Sequence, residues 1–181
     1  METTFEYKKR EELSAADQGV YDNSTKLLGF VPHMYGVIAN SPNALSRYVK
    51  AEFAPSALSA KETESVNLVV SQVNNCNYCL SFHNAFANKF GFSESQVMEI
   101  RKGQASFDPK LDALVKLAKA LVEKRGHIDG NYVDNFIKAG YSKAAVIDTI
   151  LLVNLRGVTN YMHAALGEFE IDFPLAPSLS I

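Results

Sequence analysis

The chain has 181 residues, 47% of them hydrophobic and 21% charged, with a formal net charge of −2. That length suits one domain with its own hydrophobic core, and a single domain over residues 1–181 is the expectation. A nearly neutral surface has no excess charge to draw a phosphate backbone or an anionic bilayer, which argues against nucleic acid and membrane as partners.

Met1 to Arg10 mixes acids, lysines and aromatics and does not place a positive start before an apolar run. A secretory signal is not expected, and neither is a membrane span, because the apolar stretch Ala144 to Val153 is short and broken by Asp148. The expected location is therefore cytoplasmic. Helix punctuation then recurs along the chain, while the alternating apolar and polar runs of half-buried strands are nearly absent, so the expected class is all-α. Ser14 caps a helix toward Leu28 that Gly29 stops, and Ser41 with Pro42 sets proline at a first helical position before Ala44 to Phe53.

Ser59 and Glu62 have capping-box spacing and open an apolar helix carrying Val66, Val69, Val70 and Val73. Asn74 and Asn75 interrupt it, and a second helix should begin around Cys76 and run through Phe82 and Phe86 to Gly91. Ser93 with Gln96 opens a short helix ended by Gly103. Asp108 and Pro109 start another, with Leu111, Leu114, Val115, Ala118, Leu121 and Val122 on its core face. Asp129 to Gly140 and Ser142 to Leu166 supply the last helices, and the tail from Phe173 to Ile181 reads as irregular. Ser59 to His83 and Ser142 to Gly167 echo one another, which raises the expectation of a duplicated helical hairpin.

Two cysteines are too few for a disulfide scaffold, and a bond between Cys76 and Cys79 would close almost no loop. Their spacing points instead to redox turnover or metal binding. Cys76, Cys79 and His83 lie at i, i+3 and i+7, on one face of a helix. At the first turn of that helix, unpaired N–H groups and the positive end of the dipole favour a thiolate, and His83 sits one turn beyond Cys79 to exchange a proton. A thiolate that attacks a peroxide oxygen becomes a sulfenic acid, which a second nearby cysteine condenses to a disulfide. On an unbroken helix Glu64 would stand about 18 Å from Cys76 at ~1.5 Å per residue. A reversal at Asn74 and Asn75 would bring it opposite Ala85 instead, making a Glu64, His83 and Cys79 relay feasible.

Glu64, the run Cys76-Asn77-Tyr78-Cys79 and His83 resemble the signature of the alkylhydroperoxidase D group of the carboxymuconolactone decarboxylase superfamily, most strongly over residues 59–90. The resemblance implies an alkylhydroperoxidase D-like helical fold and a peroxidase with an antioxidant role; no flavin, haem or nicotinamide motif is evident in the sequence, so neither a cofactor nor a metal is expected. Its implied partners are a hydroperoxide substrate and a dithiol or lipoyl-bearing protein reductant. The implied assembly is a homo-oligomer, a trimer or hexamer with a dimer as the alternative. Carried over, Cys79 is the attacking thiol, Cys76 the resolving thiol open to the reductant, and Glu64 with His83 the proton relay. One position departs from the group: Tyr78 stands where a histidine is usual, and a phenol is a poor base near neutral pH.

Other readings remain open at this level. The thiols can be inert small hydrophobes, or zinc ligands with His83 and Glu64 in a metal-binding or redox-sensing oligomer. A thiol-independent enzyme of the decarboxylase type is a further alternative. Arg156 has Asp148 as a candidate partner two turns earlier, or a carboxylate of a neighbouring subunit. Asn160, Tyr161 and His163 read as structural polar residues of a late helix, and His33 as a loop or interface residue.

Overall fold

The turn and cap chemistry becomes helix after helix. The computed structural model describes residues 5–167 and 170–178, and among these it has nine α-helices, a short 3-10 turn at Arg10–Glu12 and no strand. Residues 1–4 of the N-terminal stretch and residues 179–181 of the tail lie outside the described residues. The matched expectations begin with α1, Ala15–Leu28, capped by Ser14 and closed by Gly29 at φ 86, a left-handed position that favours glycine. Helix α4, Ala60–Val73, has its capping box between Ser59 and Glu62; α6, Glu94–Lys102, has one between Ser93 and Gln96. Helix α7, Pro109–Glu123, carries proline in its first turn behind the Asp108 cap.

Two segments differ from expectation. Helix α2, His33–Ile38, was not foreseen: His33 opens a helix rather than lying in a loop. Helix α3, Ala44–Glu52, begins after Asn43 at φ 62, so Pro42 precedes the helix instead of opening it. Its first amides are satisfied from a distance, since the Asp17 carboxylate accepts from the amides of Asn43 and Ser46, each at 2.8 Å. A carboxylate 26 residues away in the chain replaces the local cap, which is why the local reading missed it.

The residues group into two compact units. One holds the chain up to Ala54 with the segment Met162 to Asp172, the other Pro55 to Tyr161 with the segment from Phe173 on. In the first, α1 packs on α3 and α2 on α3, burying Tyr21, Met34, Val37, Ile38 and Leu45. His33 Nδ1 lies 2.6 Å from Asp172, which pins the C-terminal segment of this unit to the start of α2.

In the second unit α4 is central and packs on α5, Asn77–Lys89, on α6 and on α7. Helix α8, Gly130–Lys138, packs on α7, and α9, Lys143–Ala165, is the longest helix. Val66, Leu68, Val69 and Val70 of α4 are wholly buried with Ile100, Leu114, Val115 and Phe136 in one apolar cluster. No described helix is long and apolar enough to cross a membrane. The expected hairpin duplication does not appear in the second copy: residues 143–165 form one continuous helix, lacking the Asn74 and Asn75 turn that breaks the first.

Candidate active site

A helix buried on nearly all sides must find partners for its polar residues. On α4 and its C-cap these are Glu64, Asn67, Ser71 and the cap residue Asn74, at i, i+3, i+7 and i+10 along one face, the first three buried. The chain reverses where expected, with Asn75 at φ 53 and the Cys76 amide donating back to the Ser71 carbonyl at 3.0 Å. Cys76 then stands at the N-cap of α5, and its sulfur accepts from the Cys79 amide at 3.3 Å. Cys79 falls in the first turn, where helix N–H groups favour negative charge.

The reversal brings Glu64 to His83, with Oε2 at 2.8 Å from Nδ1, both side chains buried. Glu64 Oε1 accepts from Asn67 at 3.4 Å, and Asn67 accepts in turn from Arg156 Nε of α9 at 3.0 Å. Arg156 also donates to the Thr159 hydroxyl at 3.3 Å, and the Cys79 thiol lies 3.8 Å from that same oxygen. Asn160 donates to Ser71 at 3.3 Å and accepts from Asn74 at 2.9 Å. A polar seam thus joins three helices and leads from the Glu64 and His83 pair to Cys79.

The seam separates the two sulfurs electrically. The hydrogen bond from Cys76 is the main influence on Cys79; burial opposes it, while Arg156, Asn160 and Thr159 assist, and the Cys79 thiol is lowered to about 7. That same bond, with burial and the neighbouring charge, pushes Cys76 up, so it keeps its proton. Burial raises the Glu64 carboxyl, but His83, Arg156 and Asn67 together outweigh it and hold Glu64 below the usual carboxylate range. An electron-rich sulfur, a proton-bearing sulfur and a carboxylate-held imidazole therefore share one buried region.

The four residues singled out in the sequence occupy this region together. Cys76 and Cys79 are free thiols, 2% and 3% exposed, so Cys76 is covered in the single chain rather than open as the resemblance implied. Part of the cover over α5 is the C-terminal segment: the Phe173 ring packs edge-on to Tyr78 and Phe82, and the Ala176 amide donates to Ser81. Among the described residues no three His, Cys, Asp or Glu side chains come together as a metal site would need.

The sequence reading missed the α9 contribution. Arg156 is tied to Asn67 and Thr159, whereas Asp148 accepts from the Ala57 amide at 2.6 Å and from Ser56 at 3.2 Å. Their expected pairing is corrected on those grounds. The available signal was a buried-looking arginine at i, i+3 and i+4 with Thr159 and Asn160 in an apolar helix. Asn160 belongs to the seam, Tyr161 is exposed, and His163 is buried in the other unit.

Residues 39–120 match the carboxymuconolactone decarboxylase family. Among curated proteins none matches significantly. A solved alkylhydroperoxidase AhpD core, an uncharacterized peroxidase-related protein from Ralstonia eutropha JMP134, is similar with a TM-score of 0.83 at 16% identity, over 95% of this chain and 94% of that one. A peroxidase-related protein from Silicibacter sp. TM1040 has a TM-score of 0.76 at 17% identity, over 96% and 91%. The debrominase Bmp8, as a cysteine-to-alanine variant in complex with 2,3,4-tribromopyrrole, has a TM-score of 0.78 at 20% identity, over 95% and 93%. At these identities the likeness establishes the fold.

Proposed function

We propose that this chain, whose residues 39–120 match the carboxymuconolactone decarboxylase family and which has the alkylhydroperoxidase D-like fold, is a thiol-dependent hydroperoxide reductase. The carrying observation is the pair of sulfurs with opposed acidities beside a carboxylate-held imidazole. Cys79 attacks the peroxide oxygen, the O–O bond breaks, and the alkoxide leaves as an alcohol with a proton from His83. The sulfenic acid on Cys79 is then attacked by the Cys76 sulfur, which gives up its proton as water departs and a disulfide forms. A small dithiol or a lipoyl-bearing protein returns two electrons by thiol–disulfide exchange at Cys76.

Glu64 orients His83 and stabilises its charged form, while Arg156 and Thr159 hold negative charge on Cys79. Both sulfurs are buried in the single chain, so a local opening around them must precede contact with a reductant protein. The test is a thiol count before and after one equivalent of an organic hydroperoxide. Both thiols should disappear and return with dihydrolipoamide; two thiols that persist, or sustained turnover in Cys79→Ser, would falsify the assignment.

A second reading rests on the likeness to the debrominase. The same dithiol supplies the two electrons that exchange an aryl bromine for hydrogen, releasing bromide as the disulfide forms. Bromide release from 2,3,4-tribromopyrrole, measured beside peroxide consumption, decides between them.

A further inference from the structure

Within the second unit the ends of α4 and α7 and the middle of α9 surround a cavity of about 310 Å³. Leu121, Val122, Ile150 and Val153 give it an apolar wall, and Arg125 lines it with them. A pocket of that size, mostly apolar with a few polar groups, is of the kind that holds a small organic molecule. Neither sulfur lines it, although Asn74, which donates to Asn160 of the thiol seam, forms part of the wall.

Charge and space both point to the occupant. Among the described residues that line the cavity, Arg125 alone is formally charged. Its neighbours are engaged elsewhere, Glu123 with Lys119 at 3.8 Å and Lys124 with Asp129 at 3.6 Å, and no described carboxylate pairs with Arg125. The end of α7 beside it is closed as well: the Leu121 and Val122 carbonyls accept from the Gly126 and Arg125 amides, at 2.9 and 3.2 Å. A negative group arriving there meets a cation, with these two carbonyl oxygens already occupied. Space is left by Gly157, in the interior of α9, where glycine is less favourable than alanine. A Cβ there would have Tyr161 Cε2 at 3.8 Å as its nearest neighbour, an ordinary contact, so the chain's own packing does not demand a glycine. The missing side chain keeps the cavity open instead.

At ~30 Å³ for a water-sized group, such a cavity holds about ten of them. One guanidinium matches one carboxylate through paired hydrogen bonds, whereas inorganic phosphate brings extra charge and no apolar body for the wall. We propose that the cavity is a binding site for a small monocarboxylate with an apolar body, on the scale of a medium-chain fatty acid. Its carboxylate pairs with Arg125, and its chain lies against Leu121, Val122, Ile150 and Val153 in the space beside Gly157. The site is separate from the dithiol chemistry, since the seam meets the cavity through Asn74 and not through a sulfur.

The test is isothermal titration calorimetry of the full-length chain with octanoate, octanol and acetate. Octanoate should bind the wild type with a Kd on the order of 0.1 mM, fitting for a ligand of about ten non-hydrogen atoms. Octanol, the same chain without the charge, should bind about tenfold more weakly, and acetate, the charge without the chain, not measurably. Arg125→Gln should weaken octanoate by the same factor and leave octanol unchanged, while Gly157→Leu, with helicity unchanged by circular dichroism, should abolish both. A second measurement covers the case of a misfolded Gly157 variant: in the wild type, octanoate should shift the NMR amide resonances of Gly126 and Gly157. Cys76→Ser combined with Cys79→Ser should bind octanoate as the wild type does, so failure of the peroxide reading leaves this site standing. A wild type silent to octanoate, as a cavity sealed by a second copy would be, overturns the proposal. So do octanol bound as tightly as octanoate, undiminished binding in Arg125→Gln or in a folded Gly157→Leu, shifts confined to other residues, or loss of binding in the double serine variant.

Discussion

Among the described residues each unit buries one carboxylate on a helix, and the two are used differently. In the first unit Asp17 spends both oxygens on backbone amides, those of Asn43 and Ser46. In the second Glu64 spends both on side chains, the His83 ring and the Asn67 amide. Burial raises both acids, and in each case the partners outweigh it and leave the group below its ordinary value. What differs is the partner: an amide proton never leaves its nitrogen, whereas an imidazole proton does. A buried charge fastened to backbone is architecture, and one fastened to a titratable ring is positioned for proton transfer.

The largest expected effect separates these roles at Glu64. Glu64→Gln keeps the shape and removes the charge, so peroxide turnover with saturating dithiol should fall about 10²- to 10⁴-fold, the usual contribution of a general acid and its support. If steady-state turnover is unchanged, the carboxylate is structural like Asp17. The comparison is sharpened by Asp17→Ala, which strands two part-buried amides at the start of α3. Urea unfolding should show a loss of about 2 kcal/mol, with turnover per folded molecule intact.

The smallest effect concerns Arg156, which acts on Cys79 from another helix. A thiol lowered to about 7 is mostly thiolate above that pH and mostly protonated below it, so alkylation of Cys79 should rise with pH through this point. Arg156→Gln removes a favourable charge and should move the midpoint upward by about one unit, roughly a tenfold slower alkylation at acid pH. Mass spectrometry of the Cys79 peptide across a pH series reads this directly, and an unmoved midpoint would remove Arg156 from the account.

Much of this was legible because helices announce themselves locally. The Ser59 and Ser93 capping boxes, the Asp108 cap before Pro109 and the glycine stop at Gly29 each involve residues within a few positions. Pro42 misled for the opposite reason: the amides of α3 are satisfied by Asp17, remote in sequence. The α4 and α5 half of the candidate site was readable because one turn at Asn74 and Asn75 brings Glu64 to His83. The α9 half was not, since no local rule distinguishes Asp148 from Asn67 as the partner of Arg156.

By itself, then, the chain's order of residues determined its class, most helix limits, the pairing of Cys76 with Cys79 and the reach of Glu64 to His83, all consequences of short-range periodicity and one tight turn. Only tertiary packing decided that the sulfurs lie covered, that Arg156, Thr159 and Asn160 join them, and that one face of α9 is left bare. Those outcomes depend on which helix faces meet across long stretches of chain, and burial then makes each polar contact strong enough to set the acidity of a thiol.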